Sequence, residues 1–212
     1  MSLAVVASVV SVVATALLVA TTRRSRRQEW VWKPIAATGF VIAGVAWGAA
    51  DHRFGAIILA GLIASWFGDV LLLPRGKRWF LAGLVAFLLG HVAYAVAFGL
   101  RGVAWPASAI GVAGVGAVTA VVARWLLPHV EAAMKIPVLA YMTVISAMVA
   151  LAIGTAVRHG NPWLVVGAVA FYASDLAVAR DRFVAAGWSN RAWGMPLYIG
   201  AQLVLAWCAG RP

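Results

Sequence analysis

Two carboxylates stand inside stretches that otherwise hold almost nothing polar. Asp69 lies in WFGDVLLL (66–73) and Asp175 in AFYASDLAVARDRF (170–183), five residues before Pro74 and Arg180 respectively. The chain has only six acidic residues, and the other four, Glu29, Asp51, Glu131 and Asp181, fall in or near the breaks between apolar runs. Placing an Asp at the centre of a membrane helix costs about 2.5–3.5 kcal/mol, less near the interface, so an acid kept there is by default a functional group. At 1.5 Å per helical residue both acids sit about 7 Å inside the same boundary. Two carboxyl groups facing one another in a low-dielectric pocket do not readily ionise together, which leaves one to give a proton and the other to take one. Asp69 and Asp175 are therefore the expected catalytic pair. The structural alternative is that each acid simply reaches toward Arg75, Lys77, Arg180 or Arg182 nearby.

Other polar residues can be weighed by depth. Tyr198 lies about 7 Å past the start of the last apolar run at Trp193, level with the acids, and Gln202 follows one turn later on the same face. Both are candidates to orient substrate or water. His91 and Tyr94 share a face of the fourth run, but a straight helix puts His91 about 10 Å deeper than the acids, which suits a buried hydrogen-bonding partner better than a catalyst. Lys33 and Lys135, each just ahead of a proline, and Arg180 at the end of the Asp175 run complete the candidate substrate contacts. One His with two Asp could ligate a metal, but no spaced His pair supports such a site, and none is expected. A single cysteine, Cys208, excludes an intrachain disulfide and any multi-cysteine zinc or redox centre.

The elements that must position these groups are membrane helices. Of 212 residues 64% are hydrophobic and only 11% charged, against roughly 25% charged in a soluble domain. Apolar runs at 2–20, 34–50, 54–73, 79–99, 106–127, 136–157, 162–180 and 193–209 predict an all-α polytopic membrane protein, eight transmembrane helices in one bundle, with residues 1–212 as a single domain. Trp30, Trp32, Trp79, Trp105, Trp125, Trp163, Trp188 and Trp193 mark the run ends, where indole suits the headgroup layer. The first run lacks a basic leader and its arginines follow it, the order of a retained anchor.

Of seventeen Lys and Arg, all but Arg53, Arg101, Arg158 and Arg211 fall in the first, third, fifth and seventh connections. The positive-inside bias then puts both termini outside, as in a bacterial inner membrane, and makes TTRRSRRQEWVWK (21–33) a cytoplasmic loop whose arginines anchor the topology. The same distribution explains the net charge of +11 and argues against nucleic-acid binding. A weak internal repeat sets Lys33-Pro34 with WFGDVLL (66–72) beside Lys135-Ile136-Pro137 with YASDLAV (172–178), dividing the chain at about 104 into two parallel four-helix halves.

WFGDVLLL (66–73), FLAGLVAFLLGHVAY (80–94), FYASDLAVARDRF (171–183) and PLYIGAQLVLA (196–206) resemble, in this order, the YhhN family of membrane proteins, which includes the lysoplasmalogenases. The resemblance covers nearly the whole chain. It implies hydrolysis of the vinyl ether bond of a lysoplasmalogen to a fatty aldehyde and glycerophosphocholine or glycerophosphoethanolamine, with Asp69 and Asp175 as acid and base, Tyr198 with Gln202 and His91 in the site, and no metal or redox cofactor. Partners would be the lysophospholipid and the membrane itself, with Arg75, Lys77, Arg78, Arg180 and Arg182 near the phosphate. The segment Ala177 to Ala179 departs from the family pattern in carrying small residues after the SD pair, which bears on the shape of a tail channel. Two other classes compete: a proton-coupled transporter using the same acids, and an intramembrane aspartyl protease, for which WFGD lacks the expected G-x-G-D.

Overall fold

A computed structural model of the chain describes residues 1–23 and 25–211. Among them are eight α-helices and no strand: α1 (Leu3–Thr22), α2 (Glu29–Ala46), α3 (Arg53–Leu71), α4 (Lys77–Arg101), α5 (Trp105–Leu126), α6 (Ala132–His159), α7 (Trp163–Ala179), prolonged by a π-helical turn (Arg180–Val184), and α8 (Trp188–Ala209). Seven are long and apolar enough to cross a membrane. The exception is α2, whose 18 residues open on Glu29 and carry Lys33 inward. Neighbours in sequence are neighbours in space: α1 packs on α2, α3 on α4, α5 on α6 and α7 on α8, while α8 also touches α1, α2 and α3, and α4 crosses to α6.

The helix starts differ from the sequence expectation in an instructive way. Reading a run as beginning at Pro34 or just ahead of Pro137 treats proline as a boundary, yet α2 begins at Glu29 and α6 at Ala132, with both prolines inside. Near a helix start most backbone N–H groups have no intrahelical partner, so a proline there removes little. Consequently helix occupies both ends of the expected loop 21–33, with α1 running to Thr22 and Glu29 favouring the positive N-terminal end of α2. Arg24, part of the arginine cluster read as a topology anchor, lies outside the described residues.

With lipid as solvent, helices associate through close packing rather than through expulsion of water, and small residues set how near they come. In α3, the Tyr94 ring lies where a side chain at Gly61 would stand, and the Phe87 ring does the same at Gly68. On the other pair, Gly194 of α8 receives Ala177 of α7, so one of the small residues after Asp175 stands at a close helix approach. The core between these pairs is aromatic: Tyr198 touches Phe40, Phe87 and Phe171 at ring-centroid distances of 6.0, 5.8 and 5.4 Å. In contrast, α5 is peripheral, with only Ser108, Gly111 and Leu126 buried.

Candidate active site

Asp69 sits near the C-terminal end of α3, at the Arg-rich end of the bundle, and is fully enclosed. Lys33 Nζ of α2 lies 3.1 Å from its Oδ1, and the Tyr198 hydroxyl of α8 donates to its Oδ2 at 2.6 Å. Three helices therefore meet on one carboxylate. The cage of aromatic rings around Tyr198 fixes its hydroxyl, so the hydrogen bond is oriented before any ligand arrives. An ion pair taken out of water holds only if geometry and further hydrogen bonds compensate the lost solvation, and here both carboxylate oxygens have a partner.

Asp175, on α7, has different company. The Tyr141 hydroxyl of α6 donates to its Oδ2 at 2.7 Å, and His91 Nε2 of α4 faces the same oxygen at 3.6 Å. His91 Nδ1 lies 2.8 Å from the Phe87 carbonyl, which can only accept, so Nδ1 carries a proton and Nε2 is turned to the acid. The straight-helix depth estimate that separated His91 from Asp175 fails because side chains lean toward the N-terminus of their own helix. α4 starts at the Arg-rich end and α7 finishes there, so His91 leans down, Asp175 leans up, and the two meet. The His91 ring is also held against Phe171 at 4.3 Å and Tyr141 at 5.2 Å.

Both acids line one cavity of about 580 Å³ at the Arg-rich end, within the range of small-molecule sites. Their exposure to it differs: the Asp69 side chain is 2% accessible and that of Asp175 17%. Lys33, Tyr141 and Tyr198 share the lining, with Arg75 and Arg182 nearer the rim. Arg191 sits there too, bonded to Glu29 at 2.9 Å and 3.6 Å from Asp181.

Not every sequence candidate reaches this cavity. The Tyr94 hydroxyl donates to Gln202 Oε1 at 2.7 Å in a fully buried tie between α4 and α8, away from the lining. Arg180 spends its guanidinium on Asn190 at 2.5 Å, tying the π-helical turn to the first turn of α8. Lys135 is exposed near the start of α6 and takes no place at Asp175 comparable to that of Lys33 at Asp69. The suggestion that the acids pair with Arg75, Lys77, Arg180 or Arg182 is replaced by the partners above; Lys77 instead lies 3.3 Å from Glu131.

Tyr141 escaped the sequence reading. It is one of only four tyrosines and stands five residues past the start of the 136–157 run, the same depth that singled out Tyr198. Among the described residues no group of three or more His, Cys, Asp and Glu comes together.

The fold defines an integral membrane protein of the polytopic helical class, and two carboxylates line its cavity. The YhhN family model matches residues 28–209, and the chain belongs to that family. It is 30% identical over 161 residues to the Bos taurus protein named Lysoplasmalogenase TMEM86A, covering 73% of this chain and 65% of that protein. A Mycobacterium bovis protein named Lysoplasmalogenase is 32% identical over 162 residues, 70% of this chain and 58% of its own. The Homo sapiens Lysoplasmalogenase TMEM86A is 28% identical over 183 residues, 84% and 71% respectively. The chain thus spans less than two thirds of the length of the bovine and mycobacterial relatives. No solved structure matches it.

Proposed function

We propose that the protein hydrolyses the vinyl ether bond of lysoplasmalogens, with Asp175 as general acid and Asp69 as the base that takes up water's proton. The observation that carries this reading is the unequal treatment of two carboxylates on one cavity. Asp69 is ion-paired with Lys33 and has an ionised role; among the described residues no Lys or Arg pairs with Asp175, which is the more accessible to a ligand. Relatives named lysoplasmalogenase support the choice of substrate.

The chemistry follows from these positions. Protonation of the β-carbon by Asp175 leaves an oxocarbenium ion, whose positive charge the Asp69 carboxylate offsets. Water adds at the α-carbon and gives a proton to Asp69, forming a hemiacetal. Its collapse sends the hydroxyl proton to Asp175 while Asp69 returns one to the departing glycerol oxygen, so both groups end as they began. The products are a fatty aldehyde and a glycerophospho-alcohol, and general acid–base assistance of this kind is worth about 10² to 10⁴ in rate. Tyr141 and His91 act as positioning residues for Asp175, and Tyr198 as one for Asp69. Lys135, Arg180, Tyr94 and Gln202 serve in this scheme as framework rather than as substrate contacts.

In the same reading the Arg-rich end faces the cytoplasm, both termini face out, and the membrane is a bacterial inner membrane; labelling of a cysteine introduced at Ser2 in a Cys208→Ala background tests the orientation, with protection from outside reagents overturning it. The decisive experiment is mass spectrometry of products from purified protein given lysoplasmalogen or the corresponding acyl lysolipid. Aldehyde from the first and no fatty acid from the second is expected. Transmembrane flux in proteoliposomes without either product would overturn the hydrolase in favour of a transporter.

A further inference from the structure

We propose that the hydrocarbon chain of the substrate occupies the seam between α4 and α5, so that the site is loaded sideways from the leaflet at the Arg-rich end. This takes its substrate class, a single-chain phospholipid, from the function proposed above; the location of the chain rests on separate observations.

The first is how the bundle is closed. On the Asp69 side α1 packs against α8, and Leu18 of α1 reaches the cavity wall. In the second set of four helices α5 holds the position in chain order that α1 holds in the first, but no comparable packing joins α5 to α4. It is held instead to α6, where Gly111 meets Ala150, and by Thr119, whose hydroxyl lies 2.7 Å from Ser146 and 3.0 Å from Tyr172. The α4–α5 wall is therefore made of side chains alone.

The second is what those side chains are. Phe80 and Leu84 of α4, Val122 and Leu126 of α5, and Val138 and Met142 of α6 behind them all line the cavity that holds the acids. None carries a polar atom. Just outside the seam Val85 and Leu89 on α4 are 52% and 57% exposed, and Val118 and Val121 on α5 51% and 68%. On both helices the cavity-lining side chains thus adjoin exposed apolar ones.

The third is the charge at its end. Arg182 lies over the Phe80 ring at 4.5 Å and Phe80 packs edge-on to Phe183 at 5.9 Å, so the apolar slot begins under a guanidinium. Arg75 shares the cavity lining. Cations at the interface, an apolar slot running into the leaflet, and Tyr141 with Asp175 where the two meet match an anionic phosphate, a single chain and the bond between them.

The test uses purified protein in lipid nanodiscs and an ester-linked lysophospholipid carrying a diazirine near its chain end, a probe that needs no vinyl ether chemistry. Photolabelling followed by peptide mapping is expected to find adducts on α4 and α5 around Leu84 and Val122. Leu84→Trp and Val122→Trp should each reduce that labelling and lower the preference in kcat/KM for a sixteen-carbon over a four-carbon vinyl ether lysolipid by about tenfold or more, whereas Val112→Trp, exposed on the same helix and off the cavity lining, should alter neither. Adducts on α1 and α8, or Trp variants that leave labelling and chain-length preference unchanged, overturn the proposal. Should Leu84→Trp fail to fold, Val122→Trp on the loosely packed α5 decides the matter alone. Labelling at the seam with no turnover of any vinyl ether would uphold the seam and sink the hydrolase.

Discussion

Asp69 and Asp175 come from similar sequences at similar depth, yet their surroundings differ. Around Asp69 the partners are a lysine and a tyrosine, each on its own carboxylate oxygen, and solvent access is nearly nil. Around Asp175 a tyrosine and an imidazole crowd one oxygen, Oδ2, and the group is the more open of the two to the cavity. Equal acids have unequal neighbours: a lysine faces one carboxylate, whereas a tyrosine and an imidazole face the other, and it is on this difference that the proposed division into base and acid rests.

The comparison breaks most sharply at the acids. Asp69→Asn and Asp175→Asn are each expected to lower kcat by about 10² or more, measured on protein that still elutes as a monodisperse peak. They should differ in stability, because Asp69→Asn strands the Lys33 charge in the bundle while Asp175→Asn strands none. A folded variant retaining more than about a tenth of the rate would remove that acid from the mechanism.

Next in size is Lys33→Met. Removing one partner of a buried ion pair typically costs about 3–5 kcal/mol because the other is left uncompensated, so a large drop in thermal midpoint in detergent is expected. The double variant Lys33→Met/Asp69→Asn should recover most of that stability and none of the activity. Stability that stays low in the double variant would show that Lys33 packs rather than pairs.

Smaller effects separate the two tyrosines. Each loses a hydrogen bond to a carboxyl group when changed to Phe, a change of about 1.5–3 kcal/mol if the acceptor is charged. For Tyr198→Phe, at the ion-paired site in the core, the loss should appear chiefly as stability; for Tyr141→Phe, beside the accessible acid, chiefly as kcat. Equal effects on both quantities would erase the distinction between the sites. Smallest of all is Lys135→Ala, expected to leave activity within about twofold because the residue is exposed and off the cavity.

Those expectations also measure what the sequence could convey. The membrane class and the eight helices were readable from the length of the apolar runs, and the two acids stood out as candidates because a polar residue in such a run is rare and lipid makes it costly. Lys33 and Lys135 show the limit. Both precede a proline and match in pattern, but whether a lysine at a helix start turns inward depends on the helix's rotation in the bundle, which an apolar run does not encode. His91 failed for a related reason, since its depth depended on side-chain lean rather than residue count. Tyr141 carried the signal that would have found it. Gln202 and Tyr94 satisfy one another across the core, and no one-dimensional spacing announces a partner that lies 108 positions away.

The hydroxyl of Thr119 bears on how the molecule comes apart. Along the middle of α5 it is the polar tether to α6 and α7, while Gly114 and Gly116 beside it have no neighbour within 4 Å of where a side chain would begin. Free energies of local opening follow the density of buried contacts, and segments that lack them exchange and melt as units of their own. Residues 105–126 should therefore behave as a separate cooperative unit, the first to give up amide protection as lipid is exchanged for detergent, with the acid-bearing core unfolding only afterwards.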